Sequence, residues 1–410
     1  MSINGQLLID ELDALARISE ESSALTRTFL TPAHQQAAQT LLRWMSAAGM
    51  ETRLDAAANV VGRYEGHTPG LPALMIGSHY DTVRDAGRYD GAYGILAALH
   101  CIRALVDEQL RFPFAIEVVG FSEEEGVRYN ATLLGSRAIA GNFDTDLLAH
   151  KDADGISMSD AFRDAGLNPD NIGSAARSPD ELLAFIELHI EQGPVLLAEE
   201  QPVGIVSAIA GAKRFDISAL GLAGHAGTVP MEMRFDAGAA TAEAVLMIEE
   251  TCRATEGMVG TVGKINVPGG AANVIPGKVH FSIDMRSGDS RVLNDTVKAV
   301  EAQLQEIGAR RKVSFDVRQT HAADATPCSD VLKQQLSEAI QRQSFRPILM
   351  PSGAGHDAMA MHALTPMAML FVRCGNGGIS HHPDEIISAD DAAAGADILL
   401  DFIRHFKAPV

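Results

Sequence analysis

The sequence predicts an α/β fold in which a smaller α+β domain interrupts a larger domain. Apolar runs that end in polar loops alternate with helical segments in the first part of the chain. This alternating pattern stops near Ile209 and returns after Thr326. The length of 410 residues also exceeds the size at which a single hydrophobic core usually stops growing. We therefore expect residues 1–208 and 326–410 to form one domain, with residues 209–325 inserted into it.

The first part of the chain contains two strands that are each followed by a polar loop. Residues 31–49 predict a helix, because a Thr cap and a Pro open it and a Gly closes it. The apolar run 74–76 predicts a buried parallel strand, and the helical segment 91–110 separates it from a second apolar run, 114–121. Ligands of such sheets bind beyond the carboxyl ends of the strands, which is where both polar loops fall.

The inserted segment has a different order of elements, namely strand, helix, two strands, helix and strand. This order is typical of a split βαβ sandwich. The corresponding segments are 213–224, 236–255, 258–286, 291–308 and 312–319. Beyond Thr326 we expect a helix at 328–343, a glycine-rich loop at 352–359 and a strand at 366–373.

Composition excludes several classes of protein. A formal net charge of −20 offers no positive field to nucleic acid or to an anionic membrane surface. No stretch approaches the roughly 18 consecutive apolar residues of a membrane span, and the amphipathic start lacks the basic and apolar regions of a secretion signal. The four cysteines show no C-x-x-C spacing. We expect a cytoplasmic globular protein that binds neither nucleic acid nor membranes.

Histidines and carboxylates cluster at the predicted strand ends. Any one of them, taken alone, is more often an ordinary surface or hydrogen-bonded residue than a metal ligand. Together they supply what a pair of divalent ions needs: imidazole nitrogens, carboxylate oxygens, and a carboxylate able to bridge the two ions. The candidates are His79, Asp81, Asp90, Glu123, Glu124, Glu125, His189, His381 and His382.

The motifs GSHYDTV, DG, EEG, ELHIEQG, GHAGTVPM, NVIPG, SGAGHDA and SHHP occur in the order found in the M20 peptidase superfamily. The sequence resembles the hydantoinase/carbamoylase branch of that superfamily, which includes allantoate amidohydrolases, N-carbamoyl-L-amino acid amidohydrolases and β-alanine synthases. The resemblance covers nearly the whole chain. It implies a mixed-sheet catalytic domain of zinc-peptidase type with an inserted α+β lid/dimerisation domain, and a homodimer formed through that lid.

The resemblance also implies which residues hold two divalent metal ions. His79, Asp90 and His189 would bind one ion, and Asp90 would bridge to a second ion bound by Glu125 and His381. The family pattern S-H-x-P favours His381 over its neighbour His382. Imidazole and carboxylate ligands suit zinc or manganese, and cobalt or nickel as well.

Glu124 matches the carboxylate that acts as general base in the family, accepting a proton from the attacking water. The alternative is that the three-acid run is a solvated loop. Asp81 would hold the imidazole of His79 in one tautomer. We also expect Glu123 to add negative charge beside the base and so to raise the pKa of Glu124.

Further residues match positions that bind substrate in the family. His225 would stabilise the oxyanion that develops on the substrate carbonyl, and Arg286 would bind a carboxylate with two parallel hydrogen bonds. For Arg286 the alternative is an ion pair with a neighbouring Asp, and for His356 a supporting role is as open as pocket lining. The complete set of expected substrate-binding residues is Gln192, His225, Asn273, Arg286, Gly355 and His356.

The resulting functional hypothesis is hydrolysis of the carbamoyl group of a small ureido acid, with release of ammonia and carbon dioxide. Allantoate is the first expected substrate, because of the general look of FLTPAHQQAA and of the SGAGHDAM to SHHP region. N-carbamoyl-L-amino acids and N-carbamoyl-β-alanine follow. An aminoacylase or dipeptidase activity is the rival within the superfamily, and His189 and Gln192 oppose it. A noncatalytic binding protein is the alternative from another class, and the presence of every expected ligand and of the base opposes that.

Overall fold

A computed structural model of the chain describes residues 2–409. It divides into two compact units. The first comprises the chain up to Ser207, Cys328–Met350 and Gly355 onward, and the second comprises Ala208–Pro327 and Pro351–Ala354. No helix in the described part of the chain is both long enough and apolar enough to cross a membrane.

The helices and strands are as follows. The α-helices are α1 (Gly5–Ala16), α2 (Pro32–Ala47), α3 (Ala92–Asp107), α4 (Leu134–Ile139), α5 (Met158–Asp164), α6 (Val195–Ala198), α7 (Ala237–Ala254), α8 (Ser290–Arg311), α9 (Asp330–Arg342), α10 (Ala358–Met361) and α11 (Ala389–His405). The strands are β1 (Glu51–Leu54), β2 (Val60–Tyr64), β3 (Ala73–His79), β4 (Ala115–Phe121), β5 (Leu182–Ile190), β6 (Val203–Ile209), β7 (Gly211–Leu220), β8 (Gly224–His225), β9 (Met258–Thr261), β10 (Ile265–Asn266), β11 (Val274–Ile275), β12 (Lys278–Ser287), β13 (Ser314–Ala323), β14 (Thr326–Pro327), β15 (Leu349–Ser352) and β16 (Met367–Val372). Short 3-10 helices cover Thr145–Ala149, Pro169–Ala175, Pro179–Glu181, Met231–Met233 and Asn376–Gly378.

The main sheet has the strand order β1-β2-β4-β3-β5-β16-β6-β14, and β15 also pairs with β6. The central strands β4, β3, β5 and β16 are parallel, whereas β2 joins β4 and β6 joins β16 in antiparallel fashion. Every residue of β3, β4 and β16 is buried, because helices cover the parallel centre of the sheet. The predicted mixed α/β sheet is confirmed.

Strand β3 is the topological switch point of the sheet. The chain passes from β3 through α3 to β4 on one side, and only later adds β5 on the other side of β3. In open α/β sheets such a point leaves a crevice beyond the carboxyl ends of the strands. The polar loops after β3, β4 and β5 therefore converge at this edge.

The second unit is a sheet with the strand order β10-β12-β7-β13, and β9 pairs with β12. Apolar residues of α7 and α8 pack with alternate residues of β7 and β12, such as Ile217 and Ile283, to form its core. Strands and helices alternate here as predicted, but β8 precedes α7 and four strands, β9 to β12, lie between α7 and α8 where the sequence predicted two, because short bridging strands leave no apolar run. Residues Pro351–Ala354 also belong to this unit, which no sequence pattern indicated.

Candidate metal centre

The carboxyl ends of three neighbouring strands deliver most of the predicted ligands. His79 is the last residue of β3, Glu124 and Glu125 lie in the loop after β4, and His189 is the second-last residue of β5. Parallel pairing sets β3 beside both other strands, so these side chains reach the same crevice.

Asp90 enters the crevice from the loop that leads into α3. Gly91, the residue after it, has a φ of 64°, which favours glycine. A Cβ on Gly91 would lie 2.5 Å from the carbonyl oxygen of His79 and 2.6 Å from its ring. Glycine at this position therefore permits Asp90 to lie directly against the end of β3.

Three of the predicted ligands form what we call the first ligand group: His79, Asp90 through Oδ1, and His189. Their candidate ligand atoms all lie within 4.8 Å of one another. Asp90 Oδ1 is 3.5 Å from Nε2 of His79 and 3.1 Å from Nε2 of His189. A tetrahedral ion with bonds of about 2.0–2.1 Å separates neighbouring ligand atoms by roughly 3.3–3.4 Å, so the spacing suits such an ion.

The other oxygen of Asp90 belongs to what we call the second ligand group: Asp90 through Oδ2, Glu125 and His381. Their candidate ligand atoms also lie within 4.8 Å of one another. Nε2 of His381 is 3.2 Å from Asp90 Oδ2 and 3.5 Å from Oε1 of Glu125. Asp90 thus presents one oxygen to each group, as a bridging carboxylate does.

The orientation of the imidazoles fits metal binding. Nδ1 of His189 lies 2.8 Å from the carbonyl oxygen of Ile190, and Nδ1 of His79 lies 3.3 Å from the Asp81 carboxylate. A proton on each Nδ1 leaves the Nε2 lone pair directed at Asp90. Metal-binding histidines are oriented by a carbonyl or carboxylate in this way. The residues present therefore fit a pair of divalent cations.

The ionisable groups of the crevice shift one another's pKa values. Burial lowers the pKa of His79, but its hydrogen bonds to Asp81 and Asp90 raise that pKa well above its usual value. The hydrogen bond to Asp90 raises the pKa of His381 to about 9. Burial raises the pKa of Asp90, but hydrogen bonds from His189, His381 and His79 hold it well below the usual range.

Glu124 lies beside the ligand groups and is held there by its backbone. Its N–H donates to Asp81 Oδ1 at 3.0 Å, and the N–H of Glu125 donates to Oδ2 of the same carboxylate at 3.2 Å. Burial raises the pKa of Glu124 well above the usual value. A Cβ on Gly355 would lie 3.8 Å from Oε1 of Glu124, so glycine at this position leaves space next to the carboxylate.

Glu123 does not have the role expected from the sequence. It is 1% exposed, and burial, together with Asp81 and Glu125, raises its own pKa well above the usual value. Burial therefore opposes a negative charge on Glu123. The acids that raise the pKa of Glu124 are Glu125, Asp357 and Asp81. The expectation that a charged Glu123 acts on the base is wrong, because Glu123 is buried.

His356 lies behind the first ligand group. Its ring centre is 4.5 Å from that of His189 in an edge-to-face arrangement, and burial lowers its pKa well below the usual value. Nearby Glu187 accepts hydrogen bonds from the Ser78 hydroxyl at 2.8 Å and from the Ala358 N–H at 2.9 Å. His356 is therefore a neutral residue that packs against a predicted ligand.

Gln192 makes contacts that sequence reasoning missed. Its Nε2 donates to Asp90 Oδ2 at 3.0 Å and to the Ser380 hydroxyl at 3.1 Å. Ser380 in turn donates to Glu385 at 2.6 Å. The acid of the SHHPDE segment is a signal in the sequence, but nothing there shows that it is buried beside Asp90.

In the second unit, His225 lies in β8, which forms a two-stranded ribbon with β11, and Asn273 directly precedes β11. His225 pairs with Val274, and the carbonyl oxygen of Asn273 accepts the N–H of Ala226 at 2.9 Å. The N–H of Gly227 donates to Nδ1 of His225 at 3.0 Å, so the proton of the neutral ring is on Nε2. That Nε2–H is a donor of the kind expected for oxyanion stabilisation.

Arg286 forms the ion pair that was the alternative to substrate binding. Its Nε and Nη2 donate to the two oxygens of Asp284 at 2.8 and 3.0 Å, and Nη1 donates to the carbonyl oxygen of Gly353 at 2.7 Å. The hydrogen bond to Asp284 raises the pKa of Arg286 above its usual value. The pair fixes the direction of the guanidinium on the face of the sheet.

Comparison with known proteins agrees with the geometry. Residues 75–405 match peptidase family M20/M25/M40. A probable allantoate deiminase from Oryza sativa subsp. japonica is 39% identical over 435 residues, which cover 97% of this chain and 88% of the plant protein. The N-carbamoyl-L-amino acid amidohydrolase of Geobacillus stearothermophilus is 37% identical over 398 residues, covering 97% of either protein.

Solved structures point the same way. An amidase of the hydantoinase/carbamoylase family from Burkholderia multivorans superimposes with a TM-score of 0.92 at 31% identity, covering 98% of this chain and 97% of the other. The resemblance inferred from the sequence motifs is thereby confirmed. The chain belongs to peptidase family M20/M25/M40, in its hydantoinase/carbamoylase branch, and is a hydrolase that acts on carbon–nitrogen bonds.

Proposed function

We propose that this enzyme hydrolyses the terminal ureido group of a small ureido acid, with allantoate as the first candidate substrate, using two divalent cations. One observation carries the proposal: each oxygen of the buried Asp90 carboxylate faces its own group of imidazole and carboxylate ligands. When bound, the cations supply a water molecule of lowered pKa and polarise the substrate carbonyl. Zinc and manganese suit these ligands best.

Glu124 moves the proton in the proposed reaction. Its backbone is fixed by Asp81, and its raised pKa brings proton acceptance closer to neutral pH. It accepts a proton from water as the oxygen attacks the ureido carbonyl, and it returns the proton to the nitrogen that leaves. The carbon–nitrogen bond breaks to give an amine and carbamic acid, which decays to ammonia and carbon dioxide.

The second unit contributes substrate binding. We propose that the Nε2–H of His225 donates to the carbonyl oxygen as negative charge develops there. The guanidinium of Arg286 retains donor hydrogens besides those given to Asp284 and Gly353, and it binds the carboxylate of the ureido acid. Asn273, which directly precedes β11, adds polar contacts to the substrate beside His225.

Allantoate comes first among the candidate substrates, and the curated relatives do not separate it from carbamoyl amino acids. The relative named as a probable allantoate deiminase is 39% identical, and the one named as an N-carbamoyl-L-amino acid amidohydrolase is 37% identical. Both names denote enzymes that act on a ureido group. Such a group next to a carboxylate is therefore the chemistry that the proposed site must recognise.

A substrate panel tests the proposal. The purified protein, loaded with Zn²⁺ or Mn²⁺, is assayed for ammonia release with allantoate, N-carbamoyl-L-alanine and N-carbamoyl-β-alanine, and for amine release with N-acetyl-L-alanine and a dipeptide. We expect ammonia release to be fastest with allantoate. If a carbamoyl amino acid is the best substrate, it replaces allantoate as the assigned substrate, and the proposed reaction stays the same. Activity on the acylated amino acid alone supports an aminoacylase, and inactivity of the metal-loaded protein on every compound supports a binding protein.

We also propose that the enzyme is a homodimer formed through the second unit. Large apolar side chains of this unit are exposed, among them Met231 at 74%, Leu246 at 65% and Val259 at 60%. Exposed apolar groups of this size mark interfaces when they form a patch. Light scattering after size exclusion should give twice the mass of one chain, and a monomer at micromolar concentration contradicts the proposal.

A further inference from the structure

We infer that Glu385 is a positioning residue that, through Ser380 and Gln192, orients the Asp90 carboxylate for the second ligand group. The inference rests on the proposed two-cation function. It assigns to Gln192 support of a ligand in addition to any contact with substrate.

Glu385 holds the backbone that carries Asp90. The side chain is 4% exposed, and its Oε1 accepts the N–H of Tyr89 at 3.0 Å and the N–H of Asp90 at 3.2 Å. A Cβ on Gly87 would lie 2.2 Å from that oxygen, so the preceding turn packs directly on the carboxylate. A buried carboxyl oxygen that accepts two backbone N–H groups fixes the main chain that donates them, because leaving such buried donors unpaired is costly.

The other oxygen of Glu385 closes a ring of hydrogen bonds that returns to Asp90. Oε2 accepts the Ser380 hydroxyl at 2.6 Å, and the Ser380 oxygen accepts Nε2 of Gln192 at 3.1 Å. Nε2 of Gln192 then donates to Asp90 Oδ2 at 3.0 Å. Glu385 thus fixes the main chain of Asp90 directly and the rotation of its carboxylate through two intermediaries.

The ring also supports two strained residues. Gln192 has a φ of 56° and His381 a φ of 55°, values in the left-handed region that non-glycine residues seldom adopt. Such conformations persist where the surroundings hold them, and they cluster at functional sites. Ser380 directly precedes His381, so its hydrogen bonds to Glu385 and Gln192 fix the residue that leads into this predicted ligand.

The first ligand group has separate support. His79 and His189 lie in strands of the buried sheet, and their Nδ1 atoms contact Asp81 and Ile190. By contrast, His381 lies in a loop and its side chain is 50% exposed. Oδ2, the oxygen that Gln192 contacts, is also the one that faces His381. Loss of the ring should therefore weaken the second ligand group far more than the first.

Metal titration of the whole enzyme tests this inference. Each protein is stripped with a chelator, and two stepwise affinities for Zn²⁺ are measured by calorimetry, with bound zinc counted by plasma emission. The variants are Glu385→Gln, Gln192→Ala and Ser380→Ala. His381→Ala, which lacks a ligand of the second group, and His189→Ala, which lacks one of the first, identify which step belongs to which group.

We expect the wild-type protein to bind two equivalents. The weaker binding step is assigned to the second ligand group by its loss in His381→Ala. In Glu385→Gln and Gln192→Ala the Zn²⁺ affinity of this step should fall about 10-fold or more, while the affinity of the other step changes less than about threefold. Glu117→Gln is the matched control, because Glu117 is also buried and bound to Arg63 and Arg177, yet lies within β4. The Glu117→Gln variant should keep both Zn²⁺ affinities, even if its unfolding midpoint changes.

Three outcomes would overturn the inference. In the first, both steps weaken equally in the ring variants, which indicates general support of Asp90. In the second, neither step weakens. The third is a wild-type stoichiometry below two, which contradicts the proposed two-cation function itself and the inference with it. The wild-type measurement alone detects that case, so the two failures are distinguishable.

Discussion

The two units expose their candidate functional residues to very different surroundings. In the first unit His79, Asp90 and His189 are buried and each contacts another polar group. In the second unit His225 is exposed and lies on a short ribbon, and the guanidinium of Arg286 is 30% exposed. The core of the second unit is an apolar cluster without any of these residues.

This difference separates two ways of building a site. The first ligand group is preorganised: burial and neighbouring charges fix its geometry and shift its pKa values before a ligand arrives. The candidates of the second unit have ordinary surroundings, and their contribution depends on the ligand they meet. Substitutions in the first unit should therefore change the chemical step and the stability, whereas those in the second should change activity while leaving the fold intact.

The largest effect is expected for Glu124→Gln in the first unit. The amide cannot accept a proton, so kcat should fall about 10³-fold while zinc stoichiometry stays unchanged. Steady-state kinetics and plasma emission measure both quantities. Glu123→Gln is the matched control, because this neighbour is buried in the same loop and its carboxyl oxygens make no hydrogen bond to a predicted metal ligand within the described part of the chain, so kcat should change less than about threefold. Turnover of Glu124→Gln within tenfold of wild type would refute the assigned base.

The next largest effect should come from His225→Ala in the second unit. Loss of the Nε2–H donor should lower kcat by about 10²-fold with little change in the unfolding midpoint, since the side chain is exposed. His321→Ala removes another exposed imidazole of the same unit and should leave kcat unchanged. A large fall in the unfolding midpoint of His225→Ala, in addition to the fall in kcat, would contradict the contrast between the two units.

Arg286→Ala should act on binding instead of on the chemical step. Two charge-assisted hydrogen bonds to a substrate carboxylate correspond to an increase in KM of roughly 10- to 100-fold, with kcat nearly constant. Arg214→Ala supplies the control, because Arg214 also pairs with Asp284, at 2.8 Å. Equal increases in KM for both variants would show that the ion pair matters and that substrate binding by Arg286 does not.

The smallest expected effect concerns stability and pH in the first unit. Burial lowers the pKa of His34 to about 4. The unfolded chain has the ordinary value of about 6.5, so it binds more protons than the folded protein between these values, and stability falls as the pH falls through this window. Urea unfolding at pH 7.5 and pH 5 should show wild type losing about 2 kcal/mol more than His34→Gln. An equal loss in both proteins contradicts the assignment.

The ligand-bearing loops of the first unit could be located from the sequence. Continuous apolar runs predict buried parallel strands, and the carboxyl ends of such strands converge, so His79, Glu125 and His189 were expected close together. The helices of the second unit were likewise evident from their periodicity. In both cases the pattern lies within one segment of the chain, and the regular geometry of the strand or helix determines where its side chains lie in space.

Contacts between distant parts of the chain could not be predicted. Glu385 accepts the N–H of Asp90, and nothing in the segment around either residue marks that pairing. Arg27 is 1% exposed and donates to the carbonyl oxygen of Tyr80 at 2.6 Å, although an arginine in a polar stretch favours a surface position. Burial of Glu123 overturned its expected role for the same reason. Packing between distant segments of the chain determines which charged residues are buried.

The strand order of the main sheet has a consequence for synthesis on the ribosome. Strand β16 lies between β5 and β6, yet it is made after both of them and after the whole second unit. Until it emerges, β5 and β6 each present a row of unpaired backbone groups next to apolar side chains, a state prone to mispairing and to capture by chaperones. The nascent chain is therefore most vulnerable late in translation, and completion of its last strand closes that window.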